Sequence, residues 1–524
     1  MEWNIKKVGS ALRYYKALAW CSFLFLTISF SPQLSAHLFP AEGSKLHYRV
    51  IGLSGPQMTS GANYTFEIAT GNFGTEDSFK KNIIVTRSSN ENKTIAEVPA
   101  FGAQYTWRVI SASKTGVAKS EFHHFSTGMI PNVDTNVSRL RILKSCDQCN
   151  AAYVFIDGKR TLYDMKGQPV WYLPALPGFS KEKLSDLRDL KLSPKGTITF
   201  LLDQQAYEIN YDGDILWKGP NTGVVSGKRI EHYHHEFTRL ASGHYMVLGD
   251  EKVLWKLPPT TDSSVLHDDN VVWDKAKKTI NQKIDFGTII EYDEKGKVVW
   301  SWKSSAYFKT SDLINRKTPK GLYDIDTHEN SFFFDEKTKT VYISFRNISR
   351  VVKISYPDGR VLGAYGNVYN PGRSLTENSL FCYQHSCRRS QKGYLYIYNN
   401  NSCNSNAFPQ ILMIKEPVSD KEKLKAVWGY ECNDEMRSEK KQTSDRYTTG
   451  GNVLELADNS LFVSMCSGYS ELFIVNIDKK ILWSAVPEKW NLDEKMWEGT
   501  TQYRASVINI RKDLEKLIWR VGKK

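Results

Sequence analysis

The chain has 524 residues, of which 41% are hydrophobic and 24% are charged, as is ordinary for a globular protein. At this length we expect several domains or one large ring of repeats. The net charge of +13 suits an anionic substrate. However, the basic residues are scattered, and the absence of a basic helix or basic–aromatic stripe argues against a nucleic-acid partner.

The first 36 residues have the pattern of a secretory signal peptide. A basic segment at residues 6–16 precedes a short apolar stretch at residues 17–30, and the small residue Ala36 suits cleavage. An uncleaved anchor is the alternative, although a membrane span needs ~20 apolar residues. We therefore expect a periplasmic or secreted protein without stable membrane insertion.

Residues 37–128 contain short runs of alternating polar and apolar residues. The runs are YTFEIAT, KNIIVTRS, YTWRVISAS and SEFHHFSTG, spaced as in an all-β domain. Tyr105-Thr-Trp107-Arg-Val109, followed by Phe125-Ser-Thr127, resembles a fibronectin type III module. We predict a small β-sandwich over residues 37–128.

A motif recurs from residue 139 to residue 520. Pairs of alternating strands are followed by a turn with Asp or Asn, then apolar residues and often Trp, as in NYDGDILW, EYDEKGKVVW and NIDKKILW. This pattern predicts an all-β fold, a six-bladed β-propeller. The predicted blades span residues 139–175, 187–219, 233–303, 327–366, 384–430 and 448–486. Residues 503–519 are expected to supply strands that close the ring on the first blade, so that no sheet edge stays open.

Eight cysteines are present, and Cys21 lies in the predicted signal peptide. The remaining seven cannot all pair within the chain. Export permits disulfides, formed by an oxidative disulfide-forming machinery. Cys146 and Cys149 have the spacing of a redox motif without its βαβ context, so a local bridge or two buried thiols is expected.

The chain has only 11 histidines, yet four of them lie between residues 232 and 244. His235 lies eight residues before the turn glycine Gly243, and His385 lies eight residues before Gly393. His328 precedes the corresponding turn of its own repeat. Inner strands of a propeller line one central channel, so these three imidazoles are expected to converge.

Arg346 lies on the strand that follows His328. A guanidinium at that place can reach the same axis and form paired hydrogen bonds to a tetrahedral anion.

The order and spacing of these short motifs resemble the arylsulfate sulfotransferases, bacterial periplasmic enzymes that do not use the nucleotide sulfate donor. The resemblance rests on Tyr233-His234-His235-Glu236, His328-Glu329-Asn330-Ser331, Ser344-Phe345-Arg346-Asn347, Gln384-His385-Ser386 and Tyr503-Arg504-Ala505. It implies sulfuryl transfer from a phenolic sulfate to a phenol by a ping-pong mechanism through a sulfohistidine. It implies no cofactor, and a homodimer is compatible with it.

The resemblance also assigns roles to single residues. His385 matches the nucleophile, and His235, His328 and Arg346 match groups that bind the sulfuryl and phenolic oxygens. Further polar residues of the substrate site are expected to be Asn330, His234, Thr449 and Tyr503. Members of the family have a disulfide close to the nucleophile, and Cys382 and Cys387 bracket His385 here. Strand alternation lets only one of His234 and His235 face the channel. Glycine spacing favours His235, whereas alignment with the motif at 328–330 favours His234.

Two alternatives remain at this stage. In an exported metal-dependent hydrolase, His232, His234 and Glu236 on one strand face would bind zinc. A non-catalytic propeller would bind a glycan or a protein through its aromatic residues, but it would leave the three channel histidines unexplained.

Overall fold

The structure is a computed structural model. It describes residues 38–57, 63–114, 116–129, 138–149, 151–180, 183–313, 322–323, 326–366, 380–403, 408–417, 422, 424–433, 435, 449–466, 471–500, 502–508 and 511–519. The predicted signal peptide lies outside these ranges. The described residues are predominantly β-strand, as the sequence predicts, with two α-helices.

The amino-terminal region contains eight strands and one short helix. The strands are β1 (Ser44–Leu46), β2 (Val50–Ser54), β3 (Asn63–Thr70), β4 (Ile83–Ser89), β5 (Lys93–Glu97), β6 (Gln104–Ser113), β7 (Gly116–Lys119) and β8 (His123–Thr127). Helix α1 (Glu76–Lys81) lies between β3 and β4.

Twenty-seven further strands follow in the described part of the chain. Those up to the third sheet are β9 (Ser138–Lys144), β10 (Tyr153–Ile156), β11 (Thr161–Asp164), β12 (Pro169–Tyr172), β13 (Arg188–Leu192), β14 (Ile198–Leu202), β15 (Gln205–Ile209), β16 (Ile215–Lys218), β17 (Phe237–Arg239), β18 (Tyr245–Lys256), β19 (Val271–Asp274), β20 (Thr279–Tyr292) and β21 (Val298–Lys303).

The rest are β22 (Glu329–Asp335), β23 (Thr340–Phe345), β24 (Arg350–Ser355), β25 (Val361–Gly366), β26 (His385–Arg389), β27 (Leu395–Asn399), β28 (Gln410–Lys415), β29 (Lys425–Glu431), β30 (Asn452–Glu455), β31 (Leu461–Ser464), β32 (Leu472–Val475), β33 (Ile481–Asn491), β34 (Met496–Gly499) and β35 (Ala505–Ile508). Helix α2 (Arg511–Trp519) follows β35.

The predicted amino-terminal strands are confirmed as β3, β4, β6 and β8. They belong to one sheet in the order β1-β8-β6-β3-β4, with β7 beside β6, while β2 and β5 form a separate antiparallel pair. Strand β3 alternates as predicted, because Tyr64, Phe66 and Ile68 are buried while their polar neighbours are more exposed. They share an apolar core with Ile51 and Leu53 of β2.

Six antiparallel sheets follow, and in five of them consecutive strands pair in chain order, whereas in the third β18 pairs with β20, which also pairs with β19 and β21. They are formed by β10–β12, β13–β16, β17–β21, β22–β25, β26–β29 and β30–β34. Short turns make this pairing possible. Gly243 between β17 and β18 and Gly393 between β26 and β27 have φ of 105° and 89°, which side chains disfavour. His235 and His385 therefore lie at the same distance, eight residues, before their turn glycines.

The carboxyl-terminal strand returns to the first sheet, as predicted. Strand β35 pairs antiparallel with β10, with Ala505 opposite Ile156 and Ile508 opposite Tyr153. Strand β9 adds to β33 in the sixth sheet, so the first sheet contains the last strand of this region and the sixth sheet contains its first strand. Distant parts of the sequence are thereby tied together.

The expectation that residues 503–519 supply only strands is wrong for their second half, which is helix α2. Leu514, Leu517 and Ile518 are spaced three or four residues apart and are buried, which is the pattern of an amphipathic helix. The helix packs on β2, where Gly52 leaves room for Ile518. No helix in the described ranges is long and apolar enough to cross a membrane.

Candidate active site

Three imidazoles lie at the beginnings of three consecutive sheets. His385 is the first residue of β26, His328 directly precedes β22, and His235 lies two residues before β17. His235 and His328 have φ of 58° and 57°, an uncommon conformation for a residue with a side chain. Non-glycine residues in this region are frequent at functional sites, where the surrounding structure holds them.

The structure brings these three side chains together, although 150 residues of sequence separate the first from the last. The ring centroids of His235 and His328 are 5.0 Å apart, and each lies 6.5 Å from that of His385. One nitrogen atom of each ring lies within 4.8 Å of the others. A small group of tetrahedral shape can therefore contact all three imidazoles at once.

His385 is buried and is held by polar groups on both sides of its ring. The side-chain amide nitrogen of Asn400 lies 2.7 Å from Nδ1, and the backbone N–H of Gly450 lies 3.2 Å from Nε2. Burial lowers the pKa of His385 well below its usual value, and the charges of Arg346, His328 and Arg504 lower it further. The hydrogen bond with the backbone of Tyr383 offsets this only in part. The imidazole is therefore neutral at neutral pH.

His234 and His235 occupy different places. The ring of His235 faces His328 and His385, whereas His234 contacts His235 from the other side, with 2.8 Å between the two Nδ1 atoms. Removal from bulk water lowers the pKa of His234 to about 4 and that of His235 well below the usual value. The residue that joins the cluster is therefore His235, as the glycine spacing predicted, and His234 is its direct neighbour.

His328 has an acidic partner, unlike the other two imidazoles. Its Nδ1 lies 2.8 Å from Oδ2 of Asp326, and its backbone N–H donates to Oδ1 of the same carboxylate. Although burial acts to raise it, the pKa of Asp326 is lowered by these bonds and by the charge of His328. The carboxylate stabilises a positive charge on the His328 ring.

Arg346 follows β23 and continues its pairing with the strand of His328. Its backbone N–H donates to the His328 carbonyl over 2.8 Å. The guanidinium donates to Oδ1 of Asn347 and lies 4.9 Å from the ring centre of Tyr383, two residues before the nucleophile candidate. The position agrees with the predicted location beside the histidines.

Two further predicted residues present buried polar atoms at the cluster. The Asn330 amide donates to the Gln384 carbonyl over 2.7 Å, while its Oδ1 has no partner among the described residues. The ring of Tyr503 lies 5.7 Å from His235 and 6.4 Å from His385, and its buried hydroxyl has no partner among those same residues. Buried polar atoms without partners are rare in proteins and are expected where a ligand binds. Thr449 is exposed, next to Gly450.

Sequence reasoning missed Arg504, which lies under the cluster. Its guanidinium donates to the carbonyls of His235 over 3.2 Å and Asn330 over 2.5 Å, and to Glu236 over 2.7 Å and Asp189 over 3.2 Å. Only 4% of this side chain is exposed. Arg504 therefore connects the segment before β17 with β22, and both carry site residues. The motif Tyr503-Arg504-Ala505 drew attention to this segment but gave no sign of the arginine's partners.

Glu236 is the centre of this buried ionic group. Besides Arg504, it accepts hydrogen bonds from Lys191 and Arg388, each over 2.7 Å. Burial alone would raise the pKa of Glu236, but the three cations hold it well below the usual value. Glu236 is thus a charged structural support and does not face the histidines.

A cavity of about 270 Å³ opens beside the cluster. Its walls come from the second and third sheets and the segment before β35, and they include Arg188, Leu201, His232, His234 and Tyr503. An apolar cavity of ~150 Å³ accommodates benzene, so this one has room for a substituted aromatic ring.

The predicted pairing of Cys382 with Cys387 is wrong. Cys382 is bonded to Cys403, and Cys387 is a free, buried thiol. Cys387 lies on β26 and packs in the core between the fourth and fifth sheets, whereas Cys382 lies in the preceding loop, where residue 403 returns after β27. A disulfide close to the nucleophile candidate is nevertheless present. Cys146 and Cys149 form the local bridge that their spacing allowed.

The alternative metal set is not assembled. Glu236 is bound by three cations, and His232 is bonded to Asp250 over 2.7 Å. Within the described ranges, the only grouping of three potential ligands close enough for a metal ion is His235, His328 and His385.

Comparisons with known structures show remote similarity. A protein of unknown function from Bacteroides caccae is 13% identical, with 68% of this chain and 98% of that chain covered and a TM-score of 0.38. Dihydro-heme d1 dehydrogenase NirN in complex with DHE is 13% identical over 71% and 78% of the two chains, with a TM-score of 0.32. Apo AztD from Citrobacter koseri is 9% identical over 85% and 98%, with a TM-score of 0.27. Similarity at this level carries no functional argument. No curated protein matches the chain.

A comparison with protein families gives a direct result. The model of the arylsulfotransferase (ASST) family matches residues 148–437, more than half of the chain. The matched region contains the three clustered histidines and Arg346. The chain therefore belongs to the arylsulfotransferase family.

Proposed function

We propose that the protein transfers a sulfuryl group from a phenolic sulfate to a phenol, with His385 as the covalent carrier. Family membership implies aryl sulfotransferase activity. The observation that carries the finer proposal is the convergence of three imidazoles with Arg346 beside a cavity large enough for an aromatic ring. Two of the three imidazoles have lowered pKa values and are neutral at neutral pH.

We further propose that the six antiparallel sheets of residues 139–520 are the blades of one β-propeller. Strand β35 on the first sheet and β9 on the sixth are the pairings that a closed ring requires. Residues 37–128 form a fibronectin III-like β-sandwich beside it. The two disulfides support the proposal that residues 1–36 direct export to the periplasm or beyond, where a disulfide-forming machinery acts. A homodimer remains a prediction.

In the first half-reaction the neutral His385 attacks the sulfur atom of the donor. The N–S bond forms with the lone pair of Nε2. The bond between sulfur and the phenolic oxygen breaks, and its electron pair stays on that oxygen. The backbone N–H of Gly450, 3.2 Å from Nε2, is placed to donate to a sulfuryl oxygen once Nε2 is occupied.

The negative charge on the three sulfuryl oxygens requires positive partners. We assign this role to the guanidinium of Arg346 and to the ring of His328, which is bonded to Asp326. Removal of one such preorganised donor typically lowers the rate by 10²–10³. Asn330 and Tyr503 are placed to contact the remaining polar atoms of the substrate.

In the second half-reaction a phenol takes the place of the first product and attacks the sulfur of sulfo-His385. The N–S bond breaks, and His385 becomes neutral again. Because the first product is released before the second substrate binds, the kinetics are ping-pong. The cavity beside His234 is where we place the aromatic ring in both steps.

The experiment is mass spectrometry of the protein mixed with an aryl sulfate in the absence of acceptor. We expect a gain of about 80 Da, one SO₃ group, on the peptide that contains His385, and its loss on addition of a phenol. His385→Asn should abolish both labelling and turnover. His244→Asn is the matched control, since His244 bonds Glu291 away from the cluster.

Two results would contradict the proposal. One is near-normal turnover by a folded His385→Asn variant, and the other is a label on a different residue. Activity that disappears with a chelator and returns with zinc would assign the three histidines to a metal instead.

A further inference from the structure

A line of imidazoles leads from the cluster towards solvent. His235 lies at the cluster, His234 contacts it with 2.8 Å between the Nδ1 atoms, and the ring centroid of His232 lies 5.9 Å from that of His234. His232 is 43% exposed at the cavity wall, and its Nδ1 is bonded to Oδ2 of Asp250. Asp250 is further bonded to Lys228.

The contact between His234 and His235 has a chemical consequence. Only one proton can lie between two Nδ1 atoms at this distance, so one ring donates and the other accepts. When His234 donates, the proton of neutral His235 lies on Nε2, facing the cluster. When His235 donates, its Nε2 presents a lone pair there instead. The direction of this single hydrogen bond decides whether His235 acts as an acid or as a base.

His328 differs from His235 in this respect. Its Nδ1 is bonded to the carboxylate of Asp326, which fixes the direction of that hydrogen bond. The groups that face His234 are His232, Asp250, His328 and Asp326, while His235 faces His234, His328, His385 and Arg504. No carboxylate bonds His235 directly among the described residues, so its proton position is free to change.

We propose that His234 and His232 form a proton relay that acts through His235 on the phenolic oxygen. This inference rests on the proposed function. In the donor half-reaction His235 gives its Nε2 proton to the departing phenolic oxygen. The Nδ1 proton of His234 moves to Nδ1 of His235, and Nε2 of His234 receives a proton from Nε2 of His232, directly or through one water. His232 then regains a proton from solvent, so charge and protons balance.

In the acceptor half-reaction the same steps run backwards. The incoming phenol gives its proton to Nε2 of His235 as its oxygen attacks sulfo-His385. The Nδ1 proton of His235 returns to His234, and the Nε2 proton of His234 passes to His232. His234 thus acts on the phenolic oxygen only through His235, which contacts that oxygen.

The requirement for a relay depends on the phenol. An ordinary phenol has a pKa near 10, so protonation of the departing phenolic oxygen lowers the barrier considerably. The anion of 4-nitrophenol delocalises its charge into the nitro group and departs without a proton. A defect in proton delivery should therefore lower the rate of transfer from phenyl sulfate much more than the rate from 4-nitrophenyl sulfate. A defect in folding or positioning should lower both rates alike.

The test measures kcat/KM for these two donors with His234→Asn, which keeps a polar partner near Nδ1 of His235 but cannot pass a proton. We expect a loss of about 10²–10⁴ with phenyl sulfate. With 4-nitrophenyl sulfate the expected loss is less than about 10-fold. His232→Asn should show the same preference more weakly, because solvent can partly replace it. Asp326→Asn replaces the partner of Nδ1 of His328 and should lower kcat/KM equally for both donors.

The outcomes separate the relay from the proposed function. If wild-type protein shows no sulfo-His385, the proposed function fails. If wild-type protein carries the label but His234→Asn slows both donors equally, or Asp326→Asn shows the donor preference, the relay is overturned. Circular dichroism checks the fold of each variant, and if His234→Asn does not fold, the donor preference of His232→Asn decides.

Discussion

Arg504→Met provides a test of how the site is held together. The substitution removes a buried guanidinium that bonds two carboxylates, Glu236 and Asp189, and the carbonyls of His235 and Asn330. Loss of one partner from a buried ion pair typically costs 3–5 kcal/mol, since the remaining charge stays buried. Glu236 keeps Lys191 and Arg388, which limits its own loss, but both carbonyls lose a donor.

We therefore expect Arg504→Met to lower the free energy of unfolding by about 3–5 kcal/mol. Urea unfolding followed by tryptophan fluorescence measures this change. Because the guanidinium holds the backbone of His235, we also expect kcat to fall by about 10²-fold in the protein that stays folded, as reacting groups shift by up to an ångström.

Arg388→Met is the matched control. Arg388 also bonds Glu236, but its other acceptors are the carbonyls of Phe332 and Cys387 and not those of His235 and Asn330. It should lose stability while kcat stays within a few fold of wild type. If both variants lose kcat equally, or if Arg504→Met changes neither quantity, the positioning role of Arg504 is refuted.

Three other predictions concern pH and the disulfide. Burial raises the pKa of Glu329 to about 8, whereas the pKa of a glutamate in the unfolded chain is about 4. The stability contributed by the neutral carboxyl group is therefore lost as the pH rises from about 4 to about 8. Glu329→Gln should raise Tm at pH 8 but not at pH 4. Because burial lowers the pKa values of His235 and His385, the acidic limb of kcat/KM with 4-nitrophenyl sulfate should lie below pH 6.5, the ordinary histidine value; a limb at or above it would contradict this. Replacing Cys382 and Cys403, 21 residues apart, by Ser should cost about 3 kcal/mol in thermal unfolding, and an unchanged Tm would show that this bridge does not stabilise the fold.

The local elements were the most predictable part of the molecule. The run YTWRVISAS became β6, and the turn glycines Gly243 and Gly393 lie between paired strands, because strand period and turn conformation depend on neighbouring residues alone. Helix α2 shows the limit of this reasoning, since a short segment with apolar residues at mixed spacing fits either a strand or a helix until its packing partner is known.

The histidines at the starts of three strands were predicted to meet, and they do, because the first strands of three successive sheets begin at one place. The sequence alone thus determined the strands, their turns, the family motifs and the identity of the clustered imidazoles. Only the tertiary structure decided that Cys382 bonds Cys403, that His234 contacts His235 side by side, and that Arg504 supports two strands. These contacts join residues whose approach is set by how loops return and how sheets stack, and no local pattern in the chain encodes that distance.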